Sequence, residues 1–143
     1  MTTSDQPSSY LSSPHLRALV TALEPTLVRG TFAFVSTPPD TGFDALDCVA
    51  SIREEQGLSL IVPLQQALDH KLQVLFVAAQ ITLRVASELQ AVGLTAVVAT
   101  ALAEADLPCN VVAGAKHDHL FVPADRAEHA MQVLLDLQRR WQP

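Results

Sequence analysis

Two rhythms of apolar residues run along the chain. Leu16, Leu19, Val20 and Leu23 recur at intervals of three and four, the spacing that sets side chains on one face of a helix. Ser13 followed by Pro14 supplies a capping hydroxyl and a residue pre-set for the first helical position, so the helix starts there. Pro25 ends it. "GTFAFVST" (30–37) is rich in strand formers, and "PPDTGFD" (38–44) reads as a loop. "CVASIRE" (48–54) and "LSLIV" (58–62) alternate in the manner of two strands with "EQG" (55–57) as the turn between them. Pro63 stops the second strand and opens a short helix, "LQQALDHK" (64–71), with Leu64, Ala67 and Leu68 as its expected buried side.

The second half follows a similar course. Leu75 to Val85 reads as one long strand. Ser87 and Gln90 have capping-box spacing, and Gly93 breaks the turn that follows. A helix runs from Leu94 to about Asp106, with Val97, Val98, Ala101, Leu102 and Ala105 on one face. "CNVVAG" and "HLFV" predict a hairpin turning near Gly114 to Lys116. Pro123 begins a last helix whose apolar positions are Ala127, Ala130, Met131, Leu134, Leu137 and Trp141.

The chain resembles itself. "LSLIVPLQQALDH" (58–70) lines up with "DHLFVPADRAEHA" (118–130), so that Leu60, Val62, Pro63 and Ala67 fall on Leu120, Val122, Pro123 and Ala127. "TALEPTLVRGTFAFV" (21–35) similarly lines up with "TALAEADLPCNVVAG" (100–114). Both halves then read helix, strand, strand, helix, with an insertion at about 37 to 56 in the first. Neither half buries enough apolar surface alone, so the two are expected to share one layer of sheet covered by helices. The expected division is a disordered N-terminus at 1–13, a first unit at 14–73 and a second at 74–143.

Composition removes several classes of function. Of 143 residues 49% are apolar, which suits one compact unit or two small ones with a common core. Nine Lys and Arg against fifteen Asp and Glu leave a net charge of −6, and Arg139-Arg140 is the one basic pair. Nucleic acid needs a basic surface and gains from stacking platforms. Neither is offered by this charge and 5% aromatics, so no nucleic-acid partner is expected. Cys48 and Cys109 stand far apart with no Cys-x-x-Cys, and read as two buried free thiols. The polar start "MTTSDQPSSYLS" is unlike a secretory signal. The densest apolar run, "LQVLFVAAQITLRVA", is broken by Gln80, Thr82 and Arg84, so no membrane partner is expected and the protein is read as cytoplasmic.

In the second half "ITLRVAS" meets a turn ending in "VGL", a helix ends in "ALAEADL", and "NVV" starts the next strand. These pieces, with S-x-L-x-x-VGL at 87–94, "NVV" followed by "HDH" and "FVP" at 110–123, and "REEQGLSLIVP" at 53–63, resemble the ACT domain, in particular bacterial stand-alone proteins with two ACT-like units. The resemblance runs from about residue 14 to 138. It implies an α+β fold of tandem ferredoxin-like (βαββαβ) repeats, antiparallel sheets with helices packed on one face. The first half opens on its helix and the second ends on one. The segment 72–86 therefore serves both sheets, or each half completes the other.

The resemblance also implies a small-ligand site where a first strand turns into a first helix, here "ASELQAVGL" (86–94). Unpaired N–H groups at a helix start suit a carboxylate. Ser87 offers a hydroxyl, Glu88 a partner for an ammonium, and Gly93 a close approach to backbone. Leu89, Val92 and Leu94 complete the turn, and Asn110 and Val111 open the neighbouring strand. Against this, Ser87 can simply cap a turn, Gly93 simply turn the chain and Asn110 satisfy local backbone. The turn also lacks the Asp/Asn-x-Pro-Gly pattern of many ligand-binding members, which weakens the case for an amino acid in particular.

His117, Asp118 and His119 form the other conspicuous group. Alternation puts His117, His119 and Phe121 on one strand face and Asp118, Leu120 and Val122 on the other. Because Leu120 and Val122 match core positions, the histidines are expected to point outward or toward a partner subunit, as an interface or secondary site. A zinc ion takes three or four protein ligands, and His129 lies a helix away, so no metal is expected. Asp118 beside a turn most simply accepts backbone N–H groups. Arg53, Glu54 and Glu55 read as a solvated edge, and Cys109 as an inert thiol. No phosphate loop or nucleophile elbow is found, and no catalytic residue or cofactor is expected. The reading is a non-catalytic regulatory module, a homo-oligomer that binds a small molecule such as an amino acid. A ligand-free interaction module and, last, a metal-dependent enzyme stand as the alternatives.

Overall fold

The Ser13 hydroxyl accepts a hydrogen bond from the Leu16 N–H at 3.3 Å, with Pro14 at the first helical position. That is the start the sequence predicts for helix α1 (Pro14–Thr21). The computed structural model describes residues 9–40 and 47–143. After α1 come strands β1 (Pro25–Leu27), β2 (Phe32–Thr37), β3 (Ala50–Glu54) and β4 (Gly57–Pro63), helix α2 (Leu64–Asp69), strand β5 (Val74–Leu83), helix α3 (Leu94–Glu104), strands β6 (Asn110–Ala113) and β7 (Asp118–Pro123), and helix α4 (Ala127–Arg140). Of the stretch 1–13 expected to lack order, 1–8 lie outside the described residues. Ser9–Ser12 form a 3-10 turn, and Tyr10 packs against the main core. Most of the predicted loop at 38–44 falls on 41–46, also outside them. Among the described residues no helix is long and apolar enough to cross a membrane.

The strands join in one antiparallel sheet in the order β3-β4-β2-β5-β7-β6. β1 lies on β5 in line with β2, pairing Pro25 to Leu27 with Leu83 to Ile81. Two four-stranded sets are built into this sheet. β2, β3, β4 and β5 lie in space as β5-β2-β4-β3, that is fourth, first, third, second. β5, β6, β7 and β1 repeat the arrangement as β1-β5-β7-β6. β5 is therefore the last strand of one set and the first of the other, and the second set takes its closing strand from the beginning of the chain.

This corrects the parallel order of elements expected from 21–35 and 100–114. α1 is not the first-half counterpart of α3. Its apolar stripe, Leu16, Leu19, Val20 and Leu23, shares one core with Val97, Val98 and Leu102 of α3 and Leu134 and Leu137 of α4. The Thr-Ala-Leu likeness joins two helices that pack beside each other. In the first set the stretch between the first and second strands, which holds α3 in the second set, includes 41–46, outside the described residues. The match of 58–70 with 118–130 does describe equivalent places, since β4 and β7 are each the third strand of their sets.

The helices cover one face of the sheet. α1, α3 and α4 bury Ala79, Ile81, Leu83, Leu120 and Val122, while α2 covers Ala33, Val35, Leu60 and Val62. In α2 the inward residue is Ala67. Leu68, expected beside it, is exposed, because a helix of only 6 residues turns Leu64 and Ala67 to the sheet and the next position to solvent.

The other face, which no helix among the described residues joins, has a core of its own. Phe32, Ile61, Ala78 and Phe121 are buried there, flanked by Phe34, Ala50, Phe76 and Val112. The Phe34 ring meets Phe121 edge-on at 5.4 Å and Phe76 at 5.5 Å, and Phe32 meets Phe121 at 6.4 Å, an arrangement favoured by the ring quadrupole. Ala50 of β3 and Val112 of β6 belong to this cluster although their strands lie at opposite ends of the sheet order. The sheet is thus coiled into a trough, an extension of ordinary strand twist. At one rim, Gly57 lets the β3–β4 turn lie against the end of β2. A Cβ there would stand 1.9 Å from the Thr37 carbonyl oxygen.

Candidate functional site

β5 ends at Leu83, and the chain is tied back to the α1–β1 turn, with Val85 N–H donating to Leu23 O at 3.2 Å. Ser87 is buried. Its Oγ donates to Asp118 Oδ2 at 3.3 Å, and its N–H to Lys116 O at 3.4 Å. The capping-box spacing of Ser87 and Gln90 does not start a helix. α3 begins after Gly93, which takes a left-handed φ of 104° beneath Tyr10 and Leu16, and no side chain caps it. The ladder opens with Val97 N–H on Gly93 O, so the N–H groups of Leu94, Thr95 and Ala96 precede it.

Around this helix start lies a cleft of about 70 Å³ lined by Ser87, Glu88, Leu89, Ala91, Leu94, Thr95, Ala113 and Asp118. It unites Ser87, Glu88, Leu89 and Leu94 of the predicted turn with Asp118, which the sequence placed in a separate group. Val92 stands exposed outside it, and Gly93 serves the packing under Tyr10. Asn110 and Val111 line a different cavity of about 270 Å³ within the trough, together with residues of β2, β3 and β4, Leu75 and Val112. The two halves of the predicted site are thus split between the two ends of one short strand. Thr95 and Ala113 carried no sequence signal of their own. The trough residues do carry one: Phe32, Phe34, Phe76 and Phe121 all fall on the strand positions that alternate with the helix-facing ones.

His117 and His119 share the face opposite Leu120 and Val122, as alternation predicts, but do not stand fully out into solvent. Both are half-buried, because the face shared with Phe121 is the inside of the trough. His119 Nδ1 lies 3.1 Å from Thr82 Oγ1 and 3.3 Å from Gln80 Nε2, and His117 Nδ1 lies 3.4 Å from Val85 O. Burial, reinforced by His117 and opposed by Asp118, lowers the pKa of His119 below the usual histidine value. Among the described residues no three His, Cys, Asp or Glu side chains converge as metal ligands. Both cysteines are free. Cys48 is exposed, contrary to expectation, since it precedes the edge strand β3. Cys109 is half-buried, and burial pushes its thiol up to about 11.

Set against known proteins, two family models described as the ACT domain match this chain, over residues 14–79 and 76–136. No functionally curated protein matches it. Among solved structures, a Vibrio cholerae protein of unknown function, described as a possible transport protein, is 35% identical with a TM-score of 0.77, over 86% of this chain and 95% of that one. An Agrobacterium tumefaciens protein is 16% identical with a TM-score of 0.67, over 80% and 87% of the two chains. The ligand-free regulatory subunit of aspartate kinase from Thermus thermophilus is 12% identical with a TM-score of 0.60, over 81% and 97%. The last two share the fold, and the first is a relative over nearly its whole length. With one family match on each side of β5, meeting in that strand, the chain belongs to the ACT domain family.

Proposed function

We propose that the protein is a non-catalytic regulatory module that binds the head group of a free amino acid in the cleft at the start of α3. The observation that carries the reading is the convergence there of three elements: a helix start with no side-chain cap, the buried Ser87 hydroxyl, and the Asp118 carboxylate it bonds. N–H groups at a helix start suit a carboxylate, and Asp118 with Glu88 suits an ammonium, so the cleft offers both poles of a zwitterion. Its volume of about 70 Å³ matches a head group, with the side chain directed outward past Leu89. That a structural neighbour is the regulatory subunit of aspartate kinase supports the regulatory sense of the reading. In this reading residues 14–73 and 74–143 are the two ACT units, sharing β5, and the protein works in the cytoplasm as a homo-oligomer.

A thermal-shift screen over the twenty amino acids tests it. At a concentration about a hundredfold above Kd, a ligand bound only by the folded state adds about 2.7 kcal/mol, and Asp118→Asn is expected to abolish the shift. No response from any amino acid overturns the proposal. The exposed edges favour a second reading, a ligand-free oligomerisation module, which predicts a stable dimer that no amino acid affects.

A further inference from the structure

The trough holds a second cavity of a different chemical character. Its walls are the two end strands of the sheet, Ala50 to Ile52 of β3 on one side and Asn110 to Val112 of β6 on the other. Phe34, Ile61 and Leu75 contribute the apolar surface between them. The volume is about 270 Å³, close to the lower end of the range of small-molecule sites. Among the described residues no ionisable side chain lines it; its polar side chains are Ser51, Ser59 and Asn110. Among the described residues β3 pairs only with β4 and β6 only with β7, so each wall also presents backbone N–H and C=O groups without a strand partner along its outer edge.

We infer that this cavity is a binding site for an uncharged, largely apolar small molecule, an aromatic or branched aliphatic body with one hydrogen-bonding group. The lining decides the class. A zwitterion or anion brought here would lose its hydration with no charged side chain to replace it, so it is disfavoured. A neutral ring would lie against Phe34, Ile61 and Val112 and direct its polar atom to Asn110 or a strand edge. The floor is rigid, because Phe34 is held edge-on by both Phe76 and Phe121. The site shares no lining residue with the cleft at the start of α3, so the two take different ligands on one protein.

The test uses the full chain and N-phenyl-1-naphthylamine, an uncharged aromatic probe that fluoresces on leaving water. We expect saturable binding of one probe per chain, competed by indole and not by an anionic analogue of the probe. Ile52→Trp, which plugs the mouth, and Leu75→Glu, which sets a charge in it, should each weaken binding at least tenfold. Both positions are exposed, at 60% and 61%, so the variants should keep their melting temperature. Asp118→Asn should bind the probe normally, which separates this site from the amino-acid cleft. Absence of saturable binding, equal binding of the anionic analogue, or full affinity in both variants overturns the inference. So does a dimer in which Ile52→Trp abolishes self-association and probe binding together, since the walls would then be a strand-pairing interface.

Discussion

Replacing Phe121 by alanine measures whether the helix-free face of the sheet is a true core. The ring is fully buried, on a strand whose other face already packs under helices, and it meets Phe32 and Phe34 edge-on. Removing it forfeits transfer energy and leaves a cavity that the flanking ladders, β5 and β6, hinder from collapsing. Such a truncation costs about 3–5 kcal/mol. With an unfolding entropy of roughly 2 cal/mol/K per residue, a chain of this length melts about 3 °C lower for each kcal/mol, so the expected drop is about 10–15 °C. Urea unfolding followed by circular dichroism should give the same loss at the midpoint with an unchanged slope. Phe121→Leu, which keeps most of the volume, should cost about 1–2 kcal/mol. A cycle with Phe34→Ala should return a coupling of about 0.5–1.5 kcal/mol for the ring pair. A cost below about 1 kcal/mol for Phe121→Ala would refute the coiled, packed trough and make that face an ordinary wet sheet surface.

Three further outcomes are expected. Because His119 has a lowered pKa in the fold, the unfolded chain binds protons more readily. Stability from this group is therefore complete above the unfolded value near 6.5 and is lost as pH falls below it; the melting temperature should drop between pH 8 and pH 5.5 less in His119→Gln than in the parent, and equal drops would rule out His119 as the source. Iodoacetamide at pH 8 should label one thiol quickly, the exposed Cys48, and Cys109 slowly, since its thiol is pushed up to about 11; a Cys48→Ser variant that still labels fast would contradict this. Gly57→Ala should destabilise by more than 2 kcal/mol, because its Cβ would overlap the Thr37 carbonyl, 1.9 Å away; a neutral result in urea titration would show that the β3–β4 turn moves freely away from β2.

Apart from β1, a three-residue strand too short to show alternation, the strands and helices were legible in the sequence because most of them turn one regularly spaced apolar face to the helix-side core. Leu60 and Val62, like Leu120 and Val122, mark the helix side of the sheet by alternation alone, and the Pro63 and Pro123 stops follow them. What alternation could not show is the shape of the sheet. It assigns one side of a strand to the core and leaves the other to water, and it therefore sent Phe121 and His119 outward. Curvature arises only when six strand positions are laid side by side, so no single strand announces it. The place of α1 was hidden for a related reason: an amphipathic helix records that it has an apolar stripe, not which neighbour covers it. At the candidate site, the turn at 86–94 was visible as glycine and serine chemistry, but its pairing with Asp118 depends on the bond from Ser87 across to β7, thirty-one residues away.

β5 is hydrogen-bonded to β2 and β1 along one edge and to β7 along the other. Tandem modules are commonly pictured as beads that swivel on a linker, yet here the would-be linker is the keystone. A strain introduced on one flank must reach the other through the lattice of the sheet itself, by flexing or tightening its coil, because there is no joint to absorb it. If the protein relays a signal as the proposed regulatory reading requires, the shared strand favours a change of curvature, sensed along the rims, over a rotation of one half against the other.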